Sequence, residues 1–236
     1  MTRAPLEQAI ATLYETFANY RASAVQGCPC CVSPEERARL TSKRLRDLEE
    51  DDLGSYVFSA LNTWGTLTDF KHFLPRILEL KARGSLWVDL QIIYGKFVQE
   101  GPWLPAERAA LEAFTGALLA SAIAEHGRER VRDIVESAGI ARMELAPMLD
   151  TMLERGADPA TSATLLAELV LDEAAALSAG THGWIFWKDD EGRLDQKWLL
   201  SGALRTRLME AFEADPSHAN AGQWASASDI LEALGG

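Results

Sequence analysis

Apolar residues in this chain recur at intervals of three and four, not two, which is the spacing of helices that bury one face. Leu6, Ile10, Leu13 and Phe17 fall at steps of four, three and four within residues 4 to 20. Leu67, Phe70, Leu74, Ile77 and Leu78 form a second stripe, ended by Gly84. Leu111, Phe114, Leu118 and Ala122 form a third, within a long helix over 105 to 126. Ser33-Pro34-Glu35-Glu36 opens a further helix, because Ser33 can cap, Pro34 suits the first helical position and Glu36 completes a capping box. That helix is expected to carry Leu45 and Leu48 inward and to end near the acidic run Glu49 to Asp52.

Other helices are expected at about 53 to 63, over "SLWVDLQIIYGKFVQEG", and at about 128 to 138, 141 to 155, 159 to 178, 197 to 213 and 224 to 234. Pro75 should kink or split its helix, since it lacks the amide hydrogen and crowds the carbonyl four residues back. One segment departs from helical spacing: "GWIFWKDDEGRLDQKWLL" sets two aromatic runs about Asp189-Asp190-Glu191-Gly192, the chemistry of a turn. The expected fold is all-α, about ten helices in one compact irregular bundle, with at most one short β-hairpin near 184–200. The 236 residues suit a single helical domain, with a soft division near residue 127.

No apolar run is long enough to span a membrane, and the amphipathic N-terminus with Glu7 and Glu15 is unlike a signal peptide. A cytoplasmic location is therefore expected. With 35 acidic against 23 basic side chains, the net charge is −12. Such a surface repels phosphate backbones and favours a basic protein partner, so neither nucleic acid nor membrane is an expected partner.

All the cysteines, Cys28, Cys30 and Cys31, lie in "QGCPCCVSPEER". In a reducing compartment an odd, clustered count is not a disulfide framework. Three chemistries remain. The thiolates could hold zinc, which wants four ligands, with His72 as the candidate fourth. They could do redox work, since they precede a capped helix N-terminus whose dipole lowers thiol pKa. They could be small buried hydrophobes packed on Phe70, Phe73 or nearby apolar side chains. Packing is the preferred expectation, with the loop docked on the "TDFKHFLPRILEL" helix. No cofactor is required, and zinc is the metal the thiols suit.

In that helix Asp69, His72, Arg76, Glu79 and Arg83 share one face. It reads as a solvated, ion-paired surface, and functionally as a docking face. Asp69, His72 and Arg76, with Trp184 and Trp187 of the aromatic segment, are the candidate partner-binding residues. The histidines His72, His126, His182 and His218 show no paired-ligand spacing. No nucleophile elbow, P-loop or dinucleotide fingerprint is present, so no catalytic residue is assigned.

"GCPCC" followed by "SALNTWGTLTDFKHFLPRILEL" resembles a family of uncharacterised bacterial proteins of similar size, over residues 5 to 100. The family is associated with toxin–immunity loci. The resemblance implies a non-enzymatic, cytoplasmic immunity protein that binds and neutralises a toxin, a basic toxin domain being the partner an acidic surface suits. The alternative is a thiol-based redox enzyme or sensor using the CxxC of Cys28 and Cys31. All-α thiol peroxidases of the alkylhydroperoxidase-D-like kind place a histidine soon after the second cysteine. Val32 to Glu36 contains none, which argues against that enzyme.

Overall fold

The computed structural model describes residues 3–22, 24–125, 127–144, 159–178 and 202–235, with positions 147, 148, 150, 153 and 200. Among them the fold is all-α, with ten helices and no strand. These are α1 (Arg3–Thr16), α2 (Pro34–Leu40), α3 (Glu50–Ser59), α4 (Leu67–Ala82), α5 (Leu90–Gln99), α6 (Pro105–Ala124), α7 (Arg128–Ile140), α8 (Pro159–Ser178), α9 (Ala203–Ala214) and α10 (Ala221–Ala233). A 3-10 turn occupies Leu45–Asp47. The hairpin expected near 184–200, with Trp184 and Trp187, lies outside the described residues, as do His126 and His182. No described helix is long and apolar enough to cross a membrane. The chain divides into two compact units, Met1–Leu118 and Leu119–Gly236, with the division inside α6.

The first unit is built on α4, which packs on α1, α3 and the 3-10 turn. Its stripe of Phe70, Phe73, Leu74, Ile77 and Leu78 is buried, as are Leu6, Ile10, Leu13 and Phe17 of α1. Thr66 and Asp69 form the capping box that starts α4. The helix runs through Pro75 without ending, because the proline is buried among its neighbours and packing outweighs the one backbone bond lost.

Two boundaries differ from the sequence expectation. Ser33 caps α2 with Pro34 at its start and Glu36 completing the box, as read, but α2 ends at Leu40. Leu45 begins the separate 3-10 turn. The acidic run, expected to close that helix, instead opens α3: Glu49 is the N-cap and Asp52 closes the box. Carboxylates suit the positive end of a helix better than its negative end, which explains the reversal.

Buried charges tie the first unit together. The Lys71 ammonium meets the Glu107 carboxylate at 2.7 Å, with both side chains at most 4% exposed. It also donates to the Pro102 carbonyl at 3.0 Å and lies 4.6 Å from the centre of the Trp103 ring. Glu79 accepts from the Tyr14 hydroxyl at 2.6 Å and from Arg76 at 2.8 Å. Lys96 is buried and donates to the Ala60 carbonyl at 2.7 Å beyond the end of α3. Burial pushes its pKa below the ordinary lysine range.

In the second unit α8, α9 and α10 pack together and α7 packs on α8. Trp224 is fully buried, and its indole N–H donates to the Thr164 hydroxyl at 3.1 Å. That hydroxyl also accepts from the Asn220 amide at 3.1 Å and donates to the Ala160 carbonyl at 2.8 Å. One side chain thus joins α8 to α10 and fixes the tryptophan.

Burial pushes the Glu79 and Glu107 carboxyls up, but their bonds to Tyr14 and Arg76, and to Lys71 and Tyr20, outweigh it and hold both below the ordinary 4.5. A carboxyl depressed in the native state contributes stability that is present above its unfolded pKa and lost as pH falls through the folded value. Denaturation followed by circular dichroism should therefore show stability falling from about pH 4.5 downward. Glu107→Gln should cost about 3–5 kcal/mol at neutral pH by leaving the Lys71 ammonium buried without a counter-charge.

Candidate metal centre

The cysteine segment is anchored at both ends by buried side chains, Val25 and Val32. Its backbone is tied to the turn that precedes α4. The Cys28 amide donates to the Thr63 carbonyl at 2.8 Å, and the Gly65 amide donates to the Gln26 carbonyl at 2.7 Å. Gly27 bridges to Trp64 between these bonds. Gly65 has φ +76°, a left-handed conformation that a side chain resists, and a Cβ there would stand 3.2 Å from the Tyr56 ring. The segment then folds on itself: the Cys31 and Val32 amides both donate to the Cys28 carbonyl at 3.0 Å. A Cβ on Gly27 would come within 3.0 Å of Val32, so this tight return uses the missing side chain.

That return brings the sulfurs together. Cys28 Sγ lies 2.9 Å from Cys30 Sγ, and Cys30 Sγ lies 3.6 Å from Cys31 Sγ. All three are within 4.8 Å of one another. Cys30 and Cys31 are exposed and Cys28 is partly so. The expected packing of the thiols on Phe70 or Phe73 is therefore corrected: the valines anchor the loop and the sulfurs face outward. The attachment is to the turn ahead of α4, not to the body of that helix.

The Cys28 and Cys30 thiols are unequal. A hydrogen bond from Cys30, supported by the backbone there and by Cys31, lowers the Cys28 pKa. The same bond, with the neighbouring sulfur charges, pushes Cys30 up to about 11. Cys28 thus ionises before Cys30, which is the proton donor that steadies it.

Tetrahedral zinc holds thiolate sulfurs at about 2.3 Å, which places them roughly 3.8 Å apart. The observed separations of 2.9 Å and 3.6 Å both fall short of that figure, by amounts that side-chain rotation can supply. The donor set suits zinc, a borderline-soft ion with high affinity for thiolate.

His72 does not join the thiols. The group of metal-ligating side chains found among the described residues comprises the three cysteines alone. The His72 Nδ1 lies 3.0 Å from the Tyr20 carbonyl, to which it must donate. A mononuclear centre built from the described residues would have three protein ligands and one position for water or an outside donor.

The proposed docking face is corrected as well. Asp69 is buried and serves the α4 capping box, accepting from the Thr66 amide at 2.8 Å. Arg76 donates to the Leu48 carbonyl at 2.7 Å and reaches Glu79, while Glu79 is buried against Tyr14 of α1. Arg83, at the end of this row, is exposed. These residues join α4 to α1 and to the 3-10 turn, and only part of the row meets solvent. Sequence reasoning missed the partners Tyr14, Tyr20 and Glu107, which come from distant segments and carry no local signal. Comparisons with protein-family models, curated proteins and solved structures find no match.

Alkylation in the metal-free protein should reach Cys28 before Cys30, with a Cys28 rate that titrates below the ordinary thiol value of 9.0. Cys30 should remain unreactive until pH is well above neutral, and Cys28→Ser should bring its titration down by removing the charge it faces. Equal reactivity at Cys28 and Cys30, read by mass spectrometry, contradicts this ranking.

Proposed function

We propose that this chain is a non-enzymatic metal-binding protein whose Cys28, Cys30 and Cys31 hold one zinc ion on the face of a helical scaffold. The convergence of the three sulfurs within 4.8 Å carries this reading. Three supports accompany it. The loop is tied down by backbone bonds to Thr63 and Gly65. The sulfurs are accessible to an ion from solvent. The donors are the softest the protein side chains offer. When bound, zinc would cross-link the ends of the Cys28–Cys31 turn and leave one position for a donor from outside. The redox alternative is less favoured, because among the described residues the nearby thiol that stabilises a Cys28 thiolate does so without a histidine or carboxylate in the group.

Protein purified without a histidine tag and loaded at neutral pH should retain close to one zinc per chain. Cys30→Ser should weaken binding by 100-fold or more, since three-thiolate affinity depends on every ligand. Because Cys30 must lose its proton, affinity should rise steeply with pH, by about 10- to 100-fold per unit near neutrality. No retained zinc, with unchanged alkylation in its presence, contradicts the proposal.

A second reading, the protein-binding module of the immunity kind, draws on a different observation. Phe58 and Trp87 are stacked at 6.0 Å and are 53% and 60% exposed. The Trp87 ring lies over Gly54, where a Cβ would come within 2.5 Å of the indole nitrogen, and Glu50 accepts from its backbone amide at 2.6 Å. Exposed aromatics beside carboxylates fit a basic protein partner. The purified product of the adjacent gene should bind with a dissociation constant that rises at least tenfold on Trp87→Ala. A product that does not bind, or binds the variant equally, removes this reading.

A further inference from the structure

A groove of about 680 Å³ opens between α1 and the 3-10 turn, with no cysteine in its lining, and is lined in part by Tyr14, Arg21, Arg44, Arg46 and His72. Its size is that of a small-molecule site. In a chain with 35 acidic against 23 basic side chains, three arginines in one groove are a local reversal of charge. Two carboxylates, Glu15 and Asp47, also line it, so the arginines outnumber them.

The arginines are positioned without being used up. The Arg46 guanidinium lies 3.6 Å from the centre of the Tyr14 ring, a stacked contact that fixes its plane and leaves the N–H donors at its edge. Tyr14 is itself held by its hydroxyl bond to the buried Glu79 at 2.6 Å. Arg21 folds back through one terminal nitrogen, donating to the Ala18 carbonyl and to the Tyr20 carbonyl at 2.9 Å. Among the described residues neither Arg46 nor Arg21 has an ion-pair partner. Arg44 differs: its Nε meets Asp47 at 2.6 Å. His72 also lines the groove, but its Nδ1 donates to the Tyr20 carbonyl at 3.0 Å. The neutral ring therefore presents Nε2 only as an acceptor, and the arginines must supply the donors for an anion.

We propose that this groove binds a small organic oxyanion, a phosphate ester or a carboxylate, with Arg46 and Arg21 as the principal anchors. A planar guanidinium already fixed by stacking loses little freedom when it forms a two-pronged bond to an oxyanion. The Tyr14 ring and the side chains of Ala11, Ala18 and Leu45 supply the apolar wall that an organic body needs and an inorganic ion does not.

Titration calorimetry at low ionic strength, using phenyl phosphate, benzoate and inorganic phosphate as probes, tests this. Saturable one-to-one binding is expected, with a dissociation constant at or below about 1 mM for one of the organic probes. Preference for phenyl phosphate marks a phosphate ester, and preference for benzoate marks a carboxylate. Inorganic phosphate should bind more weakly than the preferred probe. Arg46→Gln and Arg21→Gln should each weaken binding at least tenfold, whereas Arg108→Gln, outside the groove, should not. Asp47→Asn should tighten binding several-fold by releasing Arg44 from its ion pair. Circular dichroism confirms that each variant is folded. No saturation by any probe up to about 10 mM, or binding unchanged in folded Arg46→Gln and Arg21→Gln, overturns the proposal.

Discussion

Two backbone hydrogen bonds, from the Cys28 amide to the Thr63 carbonyl and from the Gly65 amide to the Gln26 carbonyl, set the cysteine loop in the frame of α4. Without them three neighbouring thiols on a free loop would sample many separations, and adjacent side chains such as Cys30 and Cys31 would tend to point apart. With them, and with the Cys31 and Val32 amides turned onto the Cys28 carbonyl, the sulfurs share one small volume. The turn that receives the loop is fixed in its own right. Gly65 takes a left-handed conformation, and the capping box of Thr66 and Asp69 begins α4 immediately afterwards. The geometry of the thiols is therefore a consequence of where α4 starts.

The rest of the first unit secures α4 through polar contacts as much as apolar ones. Its apolar stripe is buried, and several of its charged side chains are enclosed as well: Lys71 by Glu107, Glu79 by Tyr14 and Arg76, and Arg76 by the Leu48 carbonyl. Burying these charges is favourable only because each has a partner. The same contacts prepare the arginine-lined groove, since the Tyr14 ring that stacks on Arg46 is held by Glu79. One carboxylate thus joins α1 to α4 and also shapes a surface.

Much of the fold was legible in the sequence because helical periodicity and capping are local. The stripes of α1, α4 and α6 and the Ser33 cap follow from residues within one or two turns of each other. Legibility ended where competition was decided at a distance. Pro75 looks like a helix breaker until the packing around α4 is considered. The acidic run Glu49 to Asp52 looks like an ending, yet it begins α3 once α2 has stopped at Leu40. Of the candidate site, the cysteine cluster was legible, but its outward orientation was not, because the anchoring role belongs to Val25 and Val32. His72 seemed a ligand by residue type alone; the fold leaves it outside the thiol group, and its contact with the Tyr20 carbonyl depends on a residue far away in the sequence. The charged row of α4 seemed solvated for the same reason, since the sequence does not say what packs over it.

X-ray absorption at the zinc edge tests the central claim most directly, because it reads the ligands themselves. Protein loaded with one equivalent of zinc should show three sulfur neighbours at about 2.3 Å and one lighter neighbour at about 2.0–2.1 Å. Cys30→Ser should remove one sulfur from that shell. A shell of nitrogen and oxygen alone, or one that Cys30→Ser leaves unchanged, would show that the three thiols do not form the metal centre described.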